Sequence, residues 1–346
     1  MVVTLDDTKR IAIGQKLADM KAMQELIISN EQKLIQACTD QDIRKRLQDM
    51  LNDDQKNMGV LDTVIVQYGV KADPHSSIRK IIEQGQKMMD DSELSLFEKT
   101  AQHELLKHAQ VGSGLVVHKA AQVVGADVMA AIGPLNAVNF ENRAHQEQLK
   151  GILEILGTRE LTGQEPDQGL WGRVQDAVAA LSGVVGSAVT QTSGMSDMTI
   201  GQIIRMDHTK ARTLFAEIQG SNDPQKIQEF FGQLYKDLLA HAKAEEQVVY
   251  PAMRSYYNQT QDLYNEQAEQ EQLLNQIKSM NPSAIDDFKA QVQRLMDMTN
   301  HHINQEENEM LPKLDANFSS EQQQRMATEF KSAKSKLQDE MAASTK

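Results

Sequence analysis

Two copies of one pattern, sixty-one positions apart, constrain this chain more than any other feature of it. The first runs from His241 through Glu245 and Glu246 to Val249, Tyr250, Pro251 and Met253. The second runs from His302 through Glu306 and Glu307 to Met310, Leu311, Pro312 and Leu314. Histidine matches histidine, both glutamates match, and two apolar residues precede a proline in each copy. One His-x-x-x-Glu on a helix is common; two registered copies form an internal repeat. Residues four apart lie one turn apart on the same helix face. His241 and Glu245 therefore present a nitrogen and an oxygen to one point, and His302 and Glu306 do so from a second helix. Two such helices facing each other across a bundle core make a site suited to iron, manganese or zinc. The plainer alternative is two solvated helix faces that happen to carry charge.

The rest of the composition agrees with helices. Aromatics make up only 4% of the 346 residues, while Gln, Met, Ala, Leu and Lys are plentiful. The expected class is all-α with two bundles: residues 1–157, a 158–196 stretch rich in Gly, Ser and Ala as linker or connecting helix, and residues 197–346. One cysteine, Cys38, forms no intrachain disulfide and fits a reducing compartment. The first ten residues lack an apolar core, so no secretory signal is read, and a cytoplasmic location is expected. No apolar run is long enough to cross a membrane. The net charge of −13 argues against a general nucleic-acid or anionic-membrane binder.

Taken in order, amphipathic helices are expected at about Thr8–Ala37 and Asp42–Tyr68, the second stopped by Gly69. Asp73-Pro74 reads as an N-cap followed by proline at the first helical position. Helix is expected again at Ile78–Met89 and from Ser92 onward. Gly112 and Gly114 interrupt that run, and they read first as packing positions. Gly133-Pro134 ends it, and a helix at about Leu135–Leu156 stops at Gly157. In the second half, helices are expected at about Met198–Gln219, from Asp223-Pro224 to Pro251, at Gln261–Met280, and from Asn281-Pro282 to near Pro312. A fifth runs from a Ser320/Gln323 capping box to Met341.

His208 sits on the buried stripe of the first of these helices, beside Ile204, Ala211 and Phe215. With it, the segment from about Asp197 to Leu314 resembles the hemerythrin-like (HHE) cation-binding family. The resemblance implies a four-helix bundle holding a non-haem di-iron site. It supplies His208 from the first helix, His241 and Glu245 from the second, and His302 and Glu306 from the fourth. The third helix departs from the family pattern, because Tyr264 to Leu274 contains no histidine. Gln270 lies closest to the family position, with Gln267 a second choice, and Glu269 or Glu271 offers an oxygen instead. His301 points about 100° away from His302 and is expected to be exposed. Glu246 or Glu307 is placed to orient a ligand histidine.

The first 157 residues resemble ferritin-like bundles more faintly. They contain no Glu-x-x-His, but Glu104 with His108 and Glu141 with His145 are each four apart. With Glu31 and Asp54 these residues make a second candidate metal site. The preferred reading there is a metal-free bundle.

Three functions follow. The first is a metal-binding protein that binds or senses dioxygen, nitric oxide or iron, its other helical domain serving signalling or homo-oligomer formation. The second is a di-iron oxidoreductase that consumes peroxide or oxygen or oxidises ferrous iron. The third is a metal-dependent hydrolase or nuclease, against which the acidic charge weighs.

Overall fold

The computed structural model describes residues 8–166, 169, 173–174, 177–178 and 198–343, and helix is the only regular structure among them. The N-terminal bundle contains α1 (Thr8–Ala37), α2 (Gln41–Tyr68), α3 (Ser76–Asp90), α4 (Leu96–Val124), α5 (Ala126–Ile132) and α6 (Leu135–Thr162). The C-terminal bundle contains α7 (Ile200–Gly220), α8 (Pro224–Ala244), α9 (Tyr250–Met253), α10 (Thr260–Lys278), α11 (Ile285–Gln305), α12 (Leu311–Asn317) and α13 (Ser320–Ala343). Trp171 and most of the 158–196 stretch lie outside the described residues.

Each bundle has two apolar layers separated by a polar one. In the N-terminal bundle, Leu17, Leu61, Val64 and Val138 pack at one end and Leu34, Leu47, Leu149 and Ile152 at the other. Glu31, Asp54 and Lys107, all buried, fall between these layers along their helices. In the C-terminal bundle, Leu214, Phe215, Phe231 and Val292 form one layer and Ile203, Tyr250, Met310 and Phe330 the other.

Several boundaries differ from the sequence expectation, each for a local reason. α3 starts at Ser76, not at Pro74, because Asp19 of α1 accepts a hydrogen bond from the His75 backbone N–H at 2.8 Å and fixes the chain there. Ser95, not Ser92, caps α4, through a capping box with Glu98. Gly112 and Gly114 do not interrupt α4. A Cβ on Gly114 would collide with the side-chain amide of Asn139, so this glycine makes room for that residue of α6. α6 continues past Gly157, whose missing side chain makes room for Phe97, and stops at Gly163, where φ is 68°. Asn281-Pro282 makes a turn, and α11 begins at Ile285. The last capping box is Ser319 with Gln322, one residue ahead of the expected pair.

The two prolines of the repeat end neither helix outright. Each is preceded by one π-helical turn, Glu245–Val249 and Glu306–Met310, in which Tyr250 N–H bonds to Glu245 O and Leu311 N–H to Glu306 O. A proline lacks the N–H that an α-helix needs, and the wider turn absorbs the break. In an unbroken α-helix residues five apart face about 140° from each other. The π turn brings Tyr250 back toward the face that carries Glu245.

The bundles are joined by polar contacts as well as packing. Lys210 Nζ of α7 bonds to the Gln67 and Tyr68 carbonyls at 2.5 and 3.1 Å, satisfying the C-terminal end of α2. Arg10 of α1 pairs with Asp127 at 2.8 Å and with Glu229 of α8 at 3.0 Å. α13, expected as an outer packing helix, lies against both bundles: Phe330 is buried in the C-terminal core, and Gln338 donates to Val66 O at 3.0 Å. No described helix is long and apolar enough to cross a membrane.

Gly114→Ala is expected to lower the free energy of unfolding by about 1–3 kcal/mol, because the buried Asn139 amide must leave its place to admit the methyl group. Urea denaturation of the full chain measures it.

Candidate metal centre

The repeat places its donors as its spacing requires. One donor atom from each of His208, His241, Glu245 and Glu306 lies within 4.8 Å of the others, and all four residues are buried. His241 Nε2 is 3.2 Å from Glu245 Oε2, and His208 Nε2 is 3.2 Å from Glu306 Oε2. His302 approaches from the other side, its Nε2 3.4 Å from Glu306 Oε1.

Each imidazole is held from behind by a carboxylate. His208 Nδ1 lies 2.8 Å from Glu307, His241 Nδ1 2.9 Å from Asp207, and His302 Nδ1 2.8 Å from Glu266. Such pairing turns Nε2 inward and raises the basicity of the ring, which is how ligand histidines are oriented around metal ions. Asp207 is itself paired with Lys334 of α13, both side chains buried.

The third helix contributes Gln267. Its Nε2 donates to Glu245 Oε2 at 2.8 Å and to Tyr250 Oη at 2.6 Å. Gln270 is one turn further on; its Oε1 accepts from Thr299 at 3.3 Å and does not reach the carboxylates. Glu269 is exposed and lies off the inward face. The inward positions of α10 are 263, 267, 270 and 274, and residue 269 falls outside that stripe. Glu271 pairs with Lys243 at 3.1 Å, and His301 is 76% exposed, as expected. Tyr250 Oη lies 2.7 Å from Glu306 Oε1 and 3.2 Å from both Glu245 Oε2 and His302 Nε2.

The electrostatics follow from this packing. Burial opposes charge on His241, but Glu245 and Asp207 outweigh it and raise its pKa to about 10. His302 is raised to about 10 in the same way, against burial, by Glu306 and Glu266. Burial pushes Glu306 up, yet His302 and His208 hold it well below the usual carboxylate range. Burial and the two glutamates push the Tyr250 phenol well above its ordinary value.

The residues fit a metal ion. His208 Nε2, His241 Nε2, Glu245 Oε1 and Glu306 Oε2 are all buried without a hydrogen-bond partner. Buried polar atoms are normally satisfied, and four orphans converging in one place call for a cation. Imidazole and carboxylate together suit iron, manganese or zinc. A cavity of about 20 Å³ opens beside the cluster, lined in part by His208, Lys210, His241, Gln267, Gln270 and Thr299.

The N-terminal bundle is different. Glu104 and His108 do not join Glu31 and Asp54; both contact Gln146, at 3.2 and 2.9 Å. Glu141 is half-buried, its pKa raised by burial and by Asp53. Glu31, Asp54 and His145 do converge, on the ammonium of Lys107, and His103 stands against Glu31.

The two bundles and the donor layer define the class of protein. Residues 199–314 match the hemerythrin HHE cation-binding domain, and residues 14–162 match a family described as a domain of unknown function, DUF892. The chain is 61% identical over 343 residues to a protein of Nostoc sp. (strain PCC 7120 / SAG 25.82 / UTEX 2576) named "DNA nickase", covering 99% of this chain and 97% of that one. It belongs to that protein's family, and its own C-terminal half contains the hemerythrin HHE cation-binding domain. An "uncharacterized hemerythrin-like protein" of Schizosaccharomyces pombe is 28% identical over 141 residues, covering 39% of this chain and 68% of that one. No solved structure matches the chain.

Asp207→Asn keeps the shape of the buried side chain and removes its charge from behind His241. It is expected to weaken metal affinity by about 10–100-fold, as loss of such an outer partner does. Competition with a chromophoric chelator measures it.

Proposed function

We propose that the chain is a metal-dependent DNA nickase whose metal is held by His208, His241, Glu245, His302 and Glu306, with Gln267 and Tyr250 completing the wall of the site. The observation that carries this reading is the 61% identity to the Nostoc protein across nearly the whole of both chains. Of the three functions read from the sequence, the third, a metal-dependent hydrolase or nuclease, is the one to which that relative's name loosely corresponds. A bound metal of this kind supplies an activated water and stabilises charge as a phosphodiester is displaced. The chain's own contribution is a rigid donor set: the outer carboxylates Glu307, Asp207 and Glu266 fix the three imidazoles, and Tyr250 holds the Glu245–Glu306 pair together. Iron is the metal the hemerythrin resemblance favours, and manganese and zinc satisfy the same donors. With a net charge of −13, contact with DNA falls on local lysine- and arginine-bearing surfaces and not on the field of the whole protein.

A second reading is favoured by the enclosure of the site. The donors are buried, and the adjoining cavity of about 20 Å³ admits a water-sized ligand. That suits binding or sensing of dioxygen or nitric oxide, or turnover of peroxide, at the same residues.

One experiment separates the two. Supercoiled plasmid is incubated with the purified chain, with chelator-stripped chain, and with stripped chain reloaded with Fe²⁺, Mn²⁺ or Zn²⁺. Conversion to open circles is expected only with metal, and His302→Ala or Glu306→Gln should slow it by at least about 100-fold, since losing even an outer partner costs 10–100-fold. Equal nicking by the variants would remove the metal centre from the reaction. Full metal loading without nicking, accompanied by optical changes on adding dioxygen or nitric oxide, would establish the second reading instead.

A further inference from the structure

We propose that the N-terminal bundle contains a latent divalent-cation site, built from Glu31, Asp54, His103 and His145, which the chain fills with its own Lys107 ammonium.

The site is built and not incidental. Glu31, Asp54, His103, Lys107 and His145 come from four helices, α1, α2, α4 and α6, and each is no more than 3% exposed. Lys107 Nζ donates to Asp54 Oδ2, to Asn142 Oδ1 at 3.3 Å and to His145 Nδ1 at 3.0 Å, with Glu31 Oε1 at 3.5 Å. An ammonium has three N–H groups, and all three are used. Two carboxylates and one imidazole contact it directly and His103 stands against Glu31, so the donor types are those of the C-terminal centre.

Asp54 is further anchored by Gln24, whose Nε2 donates to Oδ1 at 2.9 Å, and Gln24 in turn accepts from Gln110 at 3.1 Å. His103 Nε2 lies 3.3 Å from Glu31 Oε1. These supports fix the donors independently of the lysine.

The lysine does not satisfy everything it touches. Glu31 Oε2 is buried without a partner. Burial pushes Glu31 well above the usual carboxylate range, so the single charge of the ammonium balances Asp54, whereas a divalent ion would let both carboxylates ionise. Nitrogen and oxygen donors of this kind suit iron, manganese or zinc. Metal–ligand bonds of about 2.0–2.2 Å are shorter than the 3.0 and 3.5 Å contacts from Nζ to His145 and Glu31, so those two donors would close in by about 1 Å. Four parallel or antiparallel helices joined by flexible side chains can make that adjustment, but only once the ammonium and its stem are gone.

The consequence is that metal carried by the natural chain belongs to the C-terminal bundle alone. The N-terminal bundle keeps the charge pattern of a metal centre and substitutes a covalent, permanent cation.

The test is metal stoichiometry in the full chain, with Co²⁺ as probe. In a chain whose C-terminal donors are removed by His208→Ala, His302→Ala and Glu306→Gln, no Co²⁺ is expected to bind while Lys107 is present. Adding Lys107→Ala to that chain is expected to create one Co²⁺ site, seen as visible d–d absorption and as a rise in melting temperature on adding the ion. Adding Glu31→Gln as well should abolish it. Co²⁺ bound in the N-terminal bundle with Lys107 intact would overturn the proposal. So would a Lys107→Ala chain that folds and takes up no ion, or one that unfolds and is not restored by Co²⁺, because the ion should replace the lost charge.

Discussion

Glu245 and Glu306 are fully buried side by side in the C-terminal bundle, and the architecture around them follows from the need to compensate that charge. An ionised carboxylate without a counter-charge is too costly to bury. Three imidazoles meet the pair, each imidazole is met by a further carboxylate, and those carboxylates are met by Lys334 and, for Glu307, by Arg212 at 3.6 Å. Charge therefore alternates from the centre of the bundle to its surface. The apolar layers on either side exclude water, which strengthens every contact between them. The π turns belong to the same solution. The first returns Tyr250 to the inner face, where its hydroxyl donates to Glu306 at 2.7 Å and lies 3.2 Å from Glu245.

This alternation also binds the two bundles together. Asp207 orients His241 and accepts from Lys334, and Lys334 is carried by α13, the helix that lies against α2. Lys210, one turn after Asp207 on α7, reaches the last carbonyls of α2 and pairs with Asp237 of α8 at 2.9 Å. Gly69, which ends α2 at φ 75°, serves the same junction: a Cβ there would meet Asp237 Oδ1 at 2.9 Å and the Gln233 amide at 3.1 Å. A residue other than glycine would be strained both by its backbone and by its neighbours. This part of the seam between the bundles is thus built from polar groups one step outside the candidate metal centre, apart from the Arg10–Glu229 pair and the apolar packing.

The sequence showed the inner donors because they obey a local rule. His241 with Glu245 and His302 with Glu306 are four apart, and helix geometry alone brings each pair to one face. Gly69 as a stop and Asp223-Pro224 as a start were legible for the same reason. The outer shell was not, because each of its members serves a histidine on another helix: Asp207 of α7 serves His241 of α8, and Glu266 of α10 serves His302 of α11. The choice between Gln267 and Gln270 depended on the rotation of α10, which its weak apolar stripe did not fix. The π turns leave only a proline as their trace. In the N-terminal bundle the pairing of acids with histidines was visible, but the decisive residue is Lys107, and a lysine reads by default as solvated.

The two bundles then differ by one substitution in charge terms. Both gather buried carboxylates and imidazoles between two apolar layers. In the N-terminal bundle a lysine stem enters the middle of that layer, and its ammonium occupies the point toward which the donors turn. In the C-terminal bundle the two nearest lysines are drawn off, Lys334 to the outer oxygen of Asp207 and Lys210 to the end of α2. The inward-facing nitrogens of His208 and His241 and the free oxygens of Glu245 and Glu306 are left to one another. A lysine cation is permanent and saturates its three acceptors; it holds a bundle together and offers nothing to a reacting molecule. Donors that no side-chain cation saturates retain affinity for an exchangeable one. That difference is set by where three lysines point: Lys107 into one donor layer, Lys334 and Lys210 away from the other.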